Sequence, residues 1–153
     1  MLTLFTLLIS LQFVIILTHD LVDIPGLVHG SQVQRILGRR KVWLATIVNS
    51  ILPGIAVGFA LAFWNKPVPG YASNYWIIYC AIAMASAVAM WYLPYFRGAP
   101  EQHKLEYLRM YEGTIHILPQ RDNNPRPNLF HVGIHVLFAV NLCLAAMLRL
   151  TSA

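Results

Sequence analysis

Four long apolar runs, at residues 2–24, 42–64, 74–96 and 129–150, alternate with short polar connections. Each approaches or exceeds the roughly 20 residues that cross a bilayer core of about 30 Å. None carries a charge in its central portion. The pattern predicts an all-α polytopic membrane protein: a single integral domain over residues 1–153, built as a bundle of four transmembrane helices. The polar stretch at 97–128 would form an interfacial helix and loop that cap one end.

Local signals refine these elements. Pro25-Gly26 stops the first helix. Ser31, the apolar edge Val33, Ile36 and Leu37, and Gly38 outline a short interfacial helix. Pro53 falls inside the second run, where a proline frees a backbone carbonyl and kinks the helix. In the third run Ala81, Ala85 and Ala89, and again Ala83 and Ala87, form small-xxx-small ladders that admit close approach of another helix. Tyr75 and Trp76 at one end, and Trp91, Tyr92 and Tyr95 at the other, are read as interfacial aromatic belts. Pro100 and Glu101 open a surface helix that Gly113 ends. Residues 118–128 hold three prolines and three asparagines, which specify turns and extended backbone, a structured strap.

Polar residues inside the apolar runs are arranged by face. Gln12, His19 and Asp23 are spaced by seven and four, within about 40° on a helix. Asn128, His131 and His135 share one face of the last run. Lipid penalises such stripes, so both should turn toward the bundle interior.

Composition supports this picture. The chain is 58% hydrophobic and 11% charged, against about 25% charged in soluble domains. Of its 11 Lys and Arg residues, nine lie in the loops before the second and fourth runs, and only Lys66 and Arg149 lie on the other side. The positive-inside rule then places both long loops in the cytoplasm and both termini outside, in a bacterial cytoplasmic membrane. Positive charge hugging membrane helices argues for lipid headgroups and against nucleic acid. The first run lacks a basic leader and a small-residue cleavage site, and is read as a retained helix. Cys80 and Cys143 sit at similar depth, where contact between them remains open.

Every histidine and every acidic residue falls on the predicted cytoplasmic side. His19, Asp23, His131 and His135 would reach the same leaflet, with Glu112 and His116 able to cap them. Three imidazoles and a carboxylate suit a transition metal, and a haem between His19 and a histidine of the last helix is a related option. The same groups also serve as a proton relay or as plain interfacial hydrogen-bonding residues. Arg121 and Arg126 are candidates for a lipid phosphate, because guanidinium matches phosphate geometry. Three classes of function therefore stand side by side. The first is a non-enzymatic subunit that self-associates or joins a larger membrane complex. The second is a metal- or haem-binding redox or enzymatic subunit, and the third is a small lipid-processing enzyme or transporter.

Overall fold

The computed structural model describes residues 1–151 and is mostly helical. Helix α1 spans Leu2–Thr18, a two-residue hairpin pairs β1 (Asp23–Ile24) with β2 (Val28–His29), and α2 covers Gly30–Leu37. The long helices are α3 (Arg39–Ala62), α4 (Gly70–Ala87) and α7 (Leu129–Thr151). A widened π turn, Val88–Tyr92, leads from α4 into α5 (Leu93–Arg97), and α6 (Glu101–Met110) begins the cap. Three helical stretches, Arg39–Ala62, Gly70–Arg97 and Leu129–Thr151, are long and apolar enough to cross a membrane. The fourth, α1, is apolar but shorter, about 25 Å at the usual helical rise.

The first helix ends earlier than the apolar run suggests. Thr18 Oγ1 donates to the Val14 carbonyl at 2.7 Å, and His19 Nδ1 lies 3.2 and 3.1 Å from the carbonyls of Ile15 and Ile16. Of these carbonyls only that of Ile16 would serve a further turn; past His19 the N–H groups of Leu21 and Val22 fold back on the Thr18 carbonyl, the chain leaves the helix, and Pro25-Gly26 turns the hairpin. Gly30 is required where α2 starts: a Cβ there would stand 2.6 Å from the Val22 carbonyl oxygen. Gly38, at φ +89°, makes the corner between α2 and α3 in a conformation that side chains rarely adopt.

The helices are arranged in the order α3, α1, α7, α4, each packed on the next. At the end that holds Met1 and Gly70, here the terminal end, α3 and α4 also meet. Trp76 Nε1 donates to the Ala56 carbonyl at 3.0 Å, Tyr75 Oη to the Leu52 carbonyl at 2.9 Å, and Phe59 packs on Tyr71 and Tyr75. Phe5, Ile9, Ala60, Ala72, Cys80 and Ala145 complete a dry core there. Small residues at 56, 60, 72 and 145 let the backbones close around the Trp76 ring.

The exterior is apolar. Leu4, Leu7, Leu11 and Val14 of α1 are about half exposed or more, as are Leu44, Ile47 and Ile51 of α3, while Phe5, Ile9 and Gln12 are buried. Apolar flanks of this extent on several helices are compatible with a membrane location. Ala81, Ala85 and Ala89 are also exposed, whereas Ala83 and Ala87 turn inward. Cys80 is buried and Cys143 exposed, and both are free thiols, so the two do not pair.

The cap is built by the irregular chain after α6. Ile115 joins two distant segments, its N–H donating to the Gly26 carbonyl and its carbonyl accepting from Leu129 N–H, each at 2.7 Å. Pro125, Pro127 and Asn128 are fully buried. Asn124 Nδ2 reaches the Tyr95 carbonyl, Tyr95 Oη the Pro119 carbonyl, and Asn128 Nδ2 the Leu27 carbonyl. The proline- and asparagine-rich strap is thus ordered by the backbone bonds its side chains make.

Candidate functional site

Toward the cap end, α3 and α4 face each other across a cavity of about 650 Å³. Its floor and sides come from Ile16 of α1, Val48, Asn49 and Leu52 of α3, and Ile82, Ala83 and Ser86 of α4. Ile134, His135 and Phe138 of α7 form the back wall, and His19, Asp20, Trp91, Tyr111 and His131 close the cap end. Val48, Ile82 and Met90 line the cavity and are 55%, 52% and 61% exposed, so the space opens sideways between α3 and α4.

His19, His131 and His135 line this one cavity. His131 lies 6.1 Å from His19 and 6.4 Å from His135, ring centre to ring centre. Each imidazole is held through its Nδ1. His19 Nδ1 faces two backbone carbonyls, and His131 Nδ1 lies 2.7 Å from Asn128 Oδ1. His135 Nδ1 lies 3.2 Å from Tyr92 Oη. A carbonyl oxygen only accepts, so Nδ1 carries the proton in His19 and, against the Asn128 amide oxygen, in His131. In the neutral His131 ring Nε2 is then the lone-pair nitrogen. His131 Nε2 and His135 Nε2 make no hydrogen bond among the described residues, whereas His19 Nε2 lies 3.3 Å from Asp20 Oδ2.

The π turn builds the aromatic wall. Pro94 has no N–H for the carbonyl four residues earlier, and the widened turn precedes it. With one extra residue in that turn, Trp91 stacks 4.0 Å from the His131 ring while its neighbour Tyr92 reaches His135. Trp91 and Tyr92 thereby hold the imidazoles of His131 and His135. Tyr111 packs edge-on against His131 at 5.3 Å.

Deeper in the bundle a polar chain crosses three helices. Asn141 Nδ2 donates to Gln12 Oε1 at 2.7 Å, and Gln12 Nε2 donates to the Tyr79 hydroxyl oxygen. Tyr79 lines the cavity. Asn49 lines it too, and Pro53, which has no N–H, leaves the Asn49 carbonyl without its helical donor.

Asp23 is not at this site. It sits exposed on β1, where its carboxylate accepts from Ser31 N–H at 2.9 Å, and that bond lowers its pKa below the usual carboxylate value. Asp20 takes its place, because α1 stops at Thr18 and residue 23 is carried off into the hairpin. Glu112 and His116 line a separate cavity on the cap, which Tyr111 also lines. Arg126 lines that second cavity too, while Arg121 stacks over Phe96 and Tyr95 at 5.4 and 5.8 Å. Among the described residues, no group of three or more His, Cys, Asp or Glu side chains stands close enough to share one metal ion. Sequence reasoning missed Asp20, Tyr79, Trp91, Tyr92, Tyr111 and Asn141. Of these, only Asn141, a lone amide in an apolar helix, carried a signal in the sequence.

No family model, curated protein or solved structure matches the chain.

Proposed function

We propose that the chain is a four-span membrane protein that holds a membrane-dissolved amphiphile in the cavity between α3 and α4. One observation carries this: a 650 Å³ space that is polar and imidazole-lined at one end, apolar along its length, and open sideways. Cavities of a few hundred Å³ with a few placed polar groups suit small ligands. A ligand entering between α3 and α4 would come from the acyl-chain region, lay its apolar body along Leu52, Ile82, Ile134 and Phe138, and turn a hydroxyl or N–H toward the histidines. The lone pair on His131 Nε2 favours a head that donates a hydrogen bond. Its role is to bind and present such a molecule, in a bacterial cytoplasmic membrane with the cap inside, as the nine-to-two charge bias supports.

Mass spectrometry of the organic extract of purified protein tests the assignment. The wild type should carry one amphiphile near stoichiometry, and Ser86→Trp, which fills the mouth, should lose most of it. Wild-type protein with nothing above the detergent blank, or an undiminished ligand in Ser86→Trp, refutes it. A stoichiometric metal or a Soret band would instead establish the metal- or haem-binding alternative. Reporters fused at Lys66 and Arg121 should fall on opposite sides of the membrane, and finding both on one side ends the four-span topology.

A second reading, a subunit that packs against copies of itself or a larger complex, draws on the outward Ala81, Ala85 and Ala89 face. Ala85→Leu should then shrink the particle in mild detergent.

A further inference from the structure

On the reading that the lateral cavity holds an amphiphile, its cap end specifies the head group. Several buried polar atoms, His116 Nδ1 among them, are sealed from solvent without a partner. The Nε2 atoms of His131 and His135 also lack a partner among the described residues, but they are not sealed. Each is therefore presented to the cavity that its ring lines. An unpaired nitrogen in a mostly apolar wall is a place where a ligand completes the bond.

The two nitrogens differ in what they offer. The Asn128 amide is oriented by its Nδ2, which donates to the Leu27 carbonyl, and its Oδ1 accepts from the His131 N–H, each at 3.0 Å. That oxygen also accepts from His131 Nδ1 at 2.7 Å, so His131 Nε2 presents a lone pair. His135 Nδ1 faces the Tyr92 hydroxyl, which either donates or accepts, so His135 Nε2 can present an N–H or a lone pair. A hydroxyl donates and accepts at once and matches both histidines. An ether or ester oxygen only accepts and leaves His131 unmatched.

Charge and shape narrow the head further. No Lys or Arg lines the cavity, so a phosphate or carboxylate would be buried there without a counter-charge. Asp20 is the one carboxylate of the lining, and it already faces His19 Nε2 at 3.3 Å, with which an ammonium would have to compete. The walls beside the two nitrogens are rings. Trp91 and Tyr111 stand 4.0 and 5.3 Å from the His131 ring, and Phe138 stands 6.3 Å from the His135 ring, centre to centre. Such faces and edges pack on a flat ring in offset or edge-on contact.

We infer that the amphiphile is uncharged and carries a hydroxylated aromatic ring as its head, an alkylated or prenylated phenol or hydroquinone. Its hydroxyl donates to His131 Nε2, its ring lies among Trp91, Tyr111 and Phe138, and its chain follows the apolar length of the cavity.

Calorimetric titration of the full chain in neutral nanodiscs, with empty nanodiscs as the blank, tests the head group. The probes are para-decylphenol, its methyl ether and decylammonium. The phenol should bind about fivefold or more tightly than the ether, which keeps the ring and loses only the donor. In His131→Phe, which keeps a ring but has no lone pair, the phenol should fall to the affinity of the ether, and the ether should change little. A purely structural role for His131 would move both probes together. Equal binding of phenol and ether by the wild type, or decylammonium bound as tightly as the phenol, overturns the inference. An undiminished preference for the phenol in His131→Phe also overturns it, and the wild-type comparison decides alone if that variant does not fold. An extracted amphiphile whose head is charged or lacks a hydroxyl sinks this inference and leaves the cavity reading standing. An empty extract with no probe bound sinks both.

Discussion

The two ends of the bundle solve opposite problems with the same four helices. At the terminal end Trp76 is fully buried among Phe5, Ile9 and a set of alanines, and its N–H closes onto the Ala56 carbonyl. At the cap end the buried apolar cluster shrinks to Ala87, Ile134 and Phe138 beside the cavity. There the helices are held apart by aromatic and imidazole rings instead of being drawn together by small residues. One end supplies rigidity, and the other is thereby free to keep an open space lined with polar groups.

The largest effect should come from the packed end. Trp76→Ala removes its central ring and should cost about 3–5 kcal/mol, read as a fall in thermal stability in detergent. A loss below about 1 kcal/mol would mean that the core is not concentrated there. The two ends can then be compared by the same manipulation, adding volume. Ala145→Leu, at a position with no exposure, should cost about 1–3 kcal/mol by overpacking. Ser86→Trp, in the wall of the cavity, should change stability by no more than about 0.5 kcal/mol. Equal costs for the two would show that the cap end is as tightly packed as the other.

What the sequence revealed of this contrast follows from the range of the physics involved. The long helices were legible because hydropathy is summed over many residues and survives local exceptions. That His131 and His135 lie on one face of the last helix was legible from helical spacing, as was the inward turn of Gln12. Asp23 was misplaced because α1 ends at Thr18, where the N–H groups of Leu21 and Val22 both fold back on the Thr18 carbonyl, a matter of one turn. The partners Tyr79 and Asn141 join Gln12 across 67 and 129 residues of chain. No local pattern encodes such pairings. Trp91 and Tyr92 read as belt residues because the π turn that aims them inward has no signature beyond the proline that follows it.

The smallest predicted effect concerns pH at the cap. The pKa of His116 is lower folded than unfolded, chiefly through burial. The unfolded chain therefore binds more protons as pH falls through the ordinary histidine range near 6.5, and stability falls with it. His116→Gln should make the decline in melting temperature between about pH 7.5 and 5 shallower than in the wild type. An identical slope would mean that His116 does not titrate differently on folding. The packed end has no titratable group in its core that changes charge over this interval, so Trp76→Ala should lower the whole curve without altering its slope.

The widened turn at Val88–Tyr92 has a mechanical consequence. One residue more than a regular helix needs is stored there, and a residue is worth about 100° of rotation. Deleting a single residue from this turn would let α4 and α5 run on in unbroken phase. Everything beyond it, Tyr95 and its bond to the Pro119 carbonyl included, would keep its facing, because the wider i→i+5 turn already absorbs the extra residue. The extra residue is thus a local key: it leaves the mounting of the cap unchanged and sets which side chains of the turn itself, Trp91 and Tyr92, face the histidines.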